Sequence, residues 1–331
     1  MTAITYTNTR STVPNFTKDV HTRHPRGYAY ETPTHFVHFY GKEAPYYTIS
    51  IGLTAIERKN GPLTDWVERT FGATDIRPMS TNVGEVTDAI WRPGLHRELE
   101  CFQALSIIES EKRNCEQSIT LLVNRLEELF YYIYPDRSGL AAYSHKTREL
   151  LILACTEVEN FWKYYISKAA VAPLGKYYTT KDYVRLMDAL FLRDYRFRLD
   201  TYPSIQSISP FSNWDQSQPT TSLRWYDAYN KVKHDRDQNF SLATLENCIQ
   251  SVVANLVIYA VRFGSQALSE QKNKFSTLFN EHFKCELINS DPTTFYLTKI
   301  NLPSNTRTDL TIIDSACNRL DTPFSINKLV I

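Results

Sequence analysis

Apolar residues recur at helical spacing over more than half of this chain, from Gly94 to about residue 268. Two stretches dominate the pattern. Residues 145–170 are apolar almost all round over their first half, and the segment from about residue 242 to Phe263 is the most apolar in the sequence. Helices with apolar residues on every side are buried by other helices. The spacing therefore predicts a helical bundle in which the helix at 145–170 is central.

The N-terminal segment, residues 1–93, lacks this spacing. Its β-branched and aromatic runs, THFVHFYG and YYTISIGL, are separated by Gly41 and Pro45 and predict a two-stranded hairpin. Residues 1–27 and 72–93 show no sustained period and are rich in turn-forming residues. We therefore interpret them as an irregular arm and a loop.

The C-terminal segment, residues 271–331, alternates apolar and polar residues in FYLTKI and SINKLVI, which indicates a small mixed tail. The predicted fold class is mainly α: a helical bundle over residues 94–270, with small α/β segments on both sides that can pack together. Because successive amphipathic helices must bury their apolar faces on one another, we expect the bundle to fold as one unit without strands.

Composition restricts the function classes. With 37 basic and 36 acidic residues the formal net charge is +1, so an anionic partner must be met by a local group of charges. Six cysteines occur singly, without a CxxC pair, which indicates a reducing compartment and argues against structural zinc. The N-terminus has no signal-peptide pattern, and no apolar run approaches about eighteen residues. We therefore expect a cytoplasmic protein with no membrane partner.

The segment WYDAYNKVKHDR, residues 225–236, is the richest in chemically useful side chains. On a helix Tyr226, Asn230 and His234 lie in one row, because residues four apart are neighbours. Lys233 flanks this row. An amide, an ammonium and an imidazole on one surface can hold a phosphate and move protons. The alternative is a solvated helix face beside a face that packs in the core.

The sequence resembles the HEPN superfamily of small helical bundles over about residues 115–265. The run RELLILACTEVENFWK, the segment WYDAYNKVKHDR and the long apolar helix after it carry the resemblance. Members of that superfamily have a motif of arginine, a polar residue, three variable positions and histidine. Here Asn230 and His234 match the polar residue and the histidine, whereas Tyr229 stands where the motif has arginine.

The resemblance implies a protein of a prokaryotic defence or stress system that cleaves RNA as a homodimer, without a metal or another cofactor, or a relative that only binds RNA. In such a reaction histidine transfers a proton at the ribose 2′-hydroxyl or the leaving 5′-oxygen, and cations with amide donors stabilise the charged phosphorane. The implied catalytic residues are His234, Asn230 and Lys233, and the implied substrate-binding residues are Lys231, Arg224, Tyr226 and Tyr229.

Glu157 is the one acidic residue that the pattern singles out. It falls at the margin of the apolar face of its helix, beside Leu150 and Ala154, where an unpaired carboxylate would be costly. We expect it either to meet a cation from a neighbouring helix or to belong to the site. Lys233 or His234 would satisfy both interpretations.

Two other functions remain open from the sequence. The 21 Tyr, 17 Phe and 5 Trp residues would suit an interaction module that dimerises or docks a protein partner through an aromatic surface. The positive row at 225–236 would also serve to bind a nucleotide without cleaving it. The exposure of His234 discriminates between these hypotheses, because an interaction module would bury that ring between helices.

Overall fold

The computed structural model describes residues 2–10, 12, 23–43, 47–202, 205, 207–270, 273–302, 306, 310–313 and 322–331. The chain divides into two compact units. The first unit consists of Met1–Asp88, Arg92–Leu105 and Asn289–Asn327, and the second consists of Ala89–Trp91, Ser106–Ile288 and Lys328–Ile331. Residues from both ends of the sequence therefore fold together in the first unit.

The described elements are numbered in chain order. The strands are β1 (Ala3–Thr7), β2 (Arg26–Glu31), β3 (His35–Lys42), β4 (Thr48–Arg58), β5 (Thr74–Pro78), β6 (Glu85–Thr87), β7 (Tyr195–Arg198), β8 (Lys284–Leu287), β9 (Thr311–Ile313) and β10 (Ser325–Asn327). The helices are α1 (Leu63–Phe71), α2 (Glu98–Ala104), α3 (Glu109–Phe130), α4 (His145–Ala169), α5 (Thr180–Tyr183), α6 (Leu186–Ala189), α7 (Arg224–His234), α8 (Arg236–Asn239), α9 (Leu245–Phe263), α10 (Ser265–Ser269) and α11 (Lys274–His282).

A six-stranded antiparallel sheet, in the order β5-β1-β2-β3-β4-β9, forms the first unit. Successive residues of a strand point to opposite sides of the sheet, and here both sides are covered. On one face Trp66 of α1 stacks on Phe36, with ring centroids 5.0 Å apart. On the other face Phe295 packs beside Tyr28, at 6.3 Å. The sheet therefore has apolar layers on both sides.

The predicted fold class is wrong. The chain is 45% helix and 17% strand, and its six-stranded sheet makes it a mixed protein rather than a mainly α bundle with small flanking segments. The prediction failed because β1 and β2 are buried on both faces. A strand buried on both faces lacks the alternation of apolar and polar residues by which a half-buried strand is recognised.

The hairpin in the N-terminal segment is confirmed. β3 and β4 pair from His35 with Arg58 to Lys42 with Thr48, with an irregularity in register between Phe39 and Tyr40. The prediction that residues 1–27 and 72–93 are irregular is wrong in part. These segments contain β1 and β5, which pair with each other. Pairing between segments so far apart in sequence leaves no signal in either segment.

His38 is buried within the sheet. Its ring stacks on Phe71 of α1, with centroids 3.8 Å apart, and Tyr40 meets it edge-on at 4.3 Å. Burial lowers the pKa of His38 to about 3, because the charged imidazolium would lose its hydration there. The ring is therefore neutral in the folded sheet at neutral pH.

Helix α9 is the centre of the second unit. Every side chain from Ser251 to Phe263 is buried, and α3, α4 and α7 each pack against the helix. The Asn255 amide donates a hydrogen bond to the carbonyl oxygen of Ala154 in α4, at 3.0 Å. Among the helices that the structure describes, none is both long and apolar enough to cross a membrane.

The expectation of one strand-free unit over residues 94–270 is wrong, because residues Arg92–Leu105 belong to the first unit and strand β7 lies within the span. In the second unit β7 pairs antiparallel with β8. Arg196 of β7 forms an ion pair with Glu286 of β8, at 2.7 Å. A strand of four residues is too short to show a period, which is why it was missed.

A buried ion pair joins α9 to α3. The side chain of Arg262 is 1% exposed, and its guanidinium donates to the two carboxylate oxygens of Glu111, at 3.1 and 3.0 Å. It also donates to the carbonyl oxygen of Ser106, at 3.2 Å. Removing one partner of a buried pair leaves the other charge uncompensated, which costs more than the pair itself contributes.

Glu111→Ala is expected to lower the free energy of unfolding by about 3 kcal/mol, because it leaves the Arg262 guanidinium buried without its carboxylate. The matched control is Glu109→Ala, in the same turn of α3. Its exposed pair with Arg113 contributes less than about 1 kcal/mol. Urea unfolding followed by tryptophan fluorescence measures both variants. Equal losses would contradict a stabilising role for the buried pair.

Candidate phosphate-binding site on helix α7

Helix α7 packs against α4 and α9 through one apolar side. Trp225, Ala228 and Val232 are buried on that side, at the spacing expected of a core-facing stripe. The Trp225 indole nitrogen donates to the carbonyl oxygen of Pro210, at 3.0 Å, in the long loop that precedes the helix. These contacts fix the orientation of α7, and with it the direction of its polar side chains.

Tyr226 belongs to the buried part of the helix. It is 4% exposed, and its hydroxyl donates a hydrogen bond of 2.7 Å to Oε1 of Glu159 in α4. Burial, and then the Glu159 carboxylate, raise the pKa of Tyr226, so the phenol remains protonated and acts as a donor. Its ring also packs on Trp162, with centroids 5.0 Å apart. Tyr226 therefore ties α7 to α4.

Lys233 is held by Tyr229. The Lys233 ammonium donates to the Tyr229 hydroxyl at 2.8 Å and lies 4.9 Å from the centroid of the same ring. This hydrogen bond raises the pKa of Lys233. Tyr229 is fully buried, whereas Lys233 is exposed. A buried ring thus fixes the position of an accessible positive charge.

His234 is the exposed last residue of α7. The described part of the chain gives its ring no hydrogen-bond partner. Asn230, one turn earlier, is half-buried. The predicted row therefore divides along the helix: Tyr226 is inside, Asn230 is at the boundary, and His234 is in solvent.

The two remaining predicted cations differ from Lys233. Lys231 forms an ion pair of 2.6 Å with Asp227, so a carboxylate already offsets its charge. Arg224 is exposed at the first turn of α7, ten residues before His234. At 1.5 Å of rise per residue the two backbone positions are about 15 Å apart along the axis. Arg224 and His234 therefore lie at opposite ends of the helix.

Glu159, rather than Glu157, is the acid that faces α7. Glu157 is half-buried, and burial raises its pKa. The Glu157 carboxylate also acts on Cys115 of α3. Burial raises the pKa of the Cys115 thiol to about 12, and the charges of Glu111 and Glu157 add to this rise. Helical spacing places residues around α4 but does not tell which side receives α7, so Glu159 could not be singled out for this contact from its position in the sequence.

The last turn of α7 can attract an anion, but it also has a structural role. Lys231, Lys233 and His234 occupy the end where the unpaired carbonyl groups of a helix carry partial negative charge. The two lysines stabilise the helix there. The exposed Lys233 ammonium and the exposed His234 imidazole nevertheless provide a charge and a proton-transfer group within the last turn of the helix.

No protein-family model matches the chain, and neither the curated proteins nor the solved structures contain a match to it. Within the described ranges, no group of three or more His, Cys, Asp or Glu residues could hold a metal ion.

Tyr226→Phe is expected to lower the free energy of unfolding by about 2 kcal/mol, because it removes a hydrogen bond to the partly buried Glu159 carboxylate. Tyr229→Phe is the matched control, since it also removes one tyrosine hydroxyl from α7. Its partners Lys233 and Thr156 are both exposed and can be hydrated instead, so we expect a loss below about 1 kcal/mol. Urea titration compares them. A larger loss for Tyr229→Phe would contradict this ranking.

Proposed function

We propose that this chain is an RNA-binding protein with a HEPN-like second unit, and that it cleaves RNA without a metal ion through His234. The observation that carries the proposal is the exposure of the His234 ring one turn from Asn230, in the same last turn of α7 as the Lys233 ammonium that Tyr229 positions. The resemblance over about residues 115–265 supplies the class of reaction and favours a prokaryotic defence or stress role.

The proposed reaction is a transesterification within RNA. The ribose 2′-oxygen attacks the adjacent phosphorus, and a bond to that oxygen forms as the bond to the 5′-oxygen breaks. The products are a 2′,3′-cyclic phosphate and a 5′-hydroxyl. One proton leaves the 2′-hydroxyl and one reaches the 5′-oxygen. His234 performs one of these transfers, since an imidazole can accept a proton at one ring nitrogen or donate one from it.

Lys233 and Asn230 serve the phosphate in this proposal. The Lys233 ammonium stabilises the charge that develops on the phosphorane, and the Asn230 amide orients a phosphate oxygen. Lys233 thus takes the part that the motif gives to arginine. Tyr229, in the arginine position, acts indirectly by fixing the ammonium through its hydroxyl.

A homodimer forms part of the proposal, because one chain offers little positive charge. Across α7 and α8 there are four cations and three carboxylates, a local formal charge of +1. RNA binding depends strongly on neutralising phosphates. A second copy would double the number of cations. The residues in this balance are Arg224, Lys231, Lys233 and Arg236 against Asp227, Asp235 and Asp237.

A second candidate function is a protein-interaction module. It is favoured by three tyrosines at the end of α3: Tyr131, Tyr132 and Tyr134 are 76%, 81% and 61% exposed. Exposed aromatic groups of this kind are enriched where proteins bind each other. In this alternative the cations of α7 only stabilise the helix end.

His234→Gln is expected to reduce RNA cleavage by about a hundredfold or more, because glutamine keeps hydrogen-bonding groups but cannot transfer protons. Its melting temperature should equal that of the native protein, since the replaced ring is exposed. Purified protein is incubated with total RNA, with and without a chelator, and the products are separated on a gel.

Cleavage that survives the chelator and is lost in His234→Gln would support the nuclease. Cleavage of equal rate in both proteins, or cleavage that the chelator stops, would contradict the histidine mechanism. If the native protein binds RNA without cleaving it, only the RNA-binding part of the proposal is supported. Absence of binding would leave the interaction module as the better proposal.

A further inference from the structure

Three aromatic rings and a guanidinium meet beside the start of α4. The ring of Phe240, in the short 3-10 helix Phe240–Leu242, lies 5.6 Å from the Tyr143 ring and 4.9 Å from the His145 ring, between centroids. The guanidinium carbon of Arg236 lies 5.9 Å from the Phe240 centroid. We name these four residues the Phe240 cluster.

The Phe240 cluster lies at the surface. Tyr143 is 51% exposed, His145 and Arg236 are also exposed, and Phe240 is half-buried at the base of the group. Rings that only filled the core would be buried. Exposed rings leave apolar faces in water, and a planar ligand that stacked on them would cover that area. A cation beside the rings suits a ligand that carries negative charge.

The backbone fixes the rings before any ligand arrives. Tyr143 pairs with Thr244 in a β-bridge between the segments that precede α4 and α9. Ser144 caps α4, because its side chain accepts a hydrogen bond from the backbone nitrogen of Thr147. His145 is therefore the first residue of a capped helix. A surface that is ordered in advance loses less conformational entropy on binding.

The Phe240 cluster adjoins the end of α7. Arg236 follows His234 by two positions, and the 3-10 helix that contains Phe240 packs against α7. The charge of this region is weak, because three carboxylates oppose its four cations. Attraction to phosphates alone would therefore give little affinity for RNA. Stacking between aromatic side chains and bases adds affinity that does not depend on net charge.

We propose that the Phe240 cluster binds unpaired bases of single-stranded RNA, with a base stacked on the Tyr143 ring and the Arg236 guanidinium facing an adjacent phosphate. The inference rests on the proposed function, because it specifies the form of RNA that the α7 site receives. Bases inside a duplex are stacked on each other and present no free face. The protein therefore discriminates against double-stranded RNA.

Tyr143→Leu is expected to weaken binding of a labelled single-stranded RNA of about ten nucleotides by roughly tenfold, because it removes one stacking ring. Tyr143→Phe keeps the ring and should retain native affinity. Tyr132→Leu is the matched control: that tyrosine is 81% exposed but lies outside the Phe240 cluster, so its loss should not change affinity. Fluorescence anisotropy measures all four proteins.

Two further probes use only the native protein, so they do not depend on whether a variant folds. An oligonucleotide of equal length without bases, and a duplex of the same sequence, should each bind about tenfold more weakly than the single strand. The phosphates remain in both probes. A difference in affinity therefore reports the contribution of free bases.

The outcomes separate the two proposals. Equal affinity for Tyr143→Leu and Tyr143→Phe, or equal affinity of the native protein for RNA with and without bases, would overturn the stacking site. Neither result would test cleavage through His234, which the His234→Gln assay measures separately. Failure of the native protein to bind any RNA probe would overturn both proposals.

Discussion

The packing of α3, α4 and α7 around α9 is the contact on which the whole second unit depends. Because α9 is buried on every side over its second half, the position of each surrounding helix is set by what it covers there. Two polar groups of α9 add directional restraints. Asn255 bonds a carbonyl of α4, and Arg262 pairs with Glu111 of α3. Buried polar groups must find partners, so each contact disfavours an axial shift of its helix. The α7 site inherits its geometry from this arrangement.

The sequence predicted those parts of the fold that local periodicity encodes. The long apolar helix was expected from about residue 242 to Phe263, and α9 spans Leu245–Phe263. Gly264 marks its end, with a φ of +97° that side chains rarely adopt. The six-stranded sheet was not predictable in this way, because β4 and β9 come from opposite ends of the chain. Their pairing follows from tertiary packing, and strands buried on both faces show no alternation.

The candidate site was predictable as a row of positions but not as a surface. Spacing of four placed Tyr226, Asn230 and His234 in one line, as α7 has them. Tyrosine has an apolar ring with a polar tip, so a sequence cannot tell whether it faces solvent or a neighbouring helix. Here both tyrosines of the segment point into the α4 side. Position 229 is fully buried, so the side chain of an arginine there would lie inside the protein. Tyr229 fills this buried position, and Lys233 of the same helix provides the accessible charge.

His38 makes the N-terminal sheet sensitive to acid. Its pKa is about 3 in the folded protein and 6.5 ordinarily, so between these values the unfolded chain binds a proton that the folded sheet does not. The stabilising effect of the neutral ring is complete above pH 6.5, and it declines by about 1.4 kcal/mol for each pH unit as the pH falls through this window. Between these pH values the charged ring is favoured only in the unfolded chain, where water hydrates it. Burial likewise lowers the pKa of His96, in the same unit, to about 4, so mild acid weakens the first unit through two imidazoles.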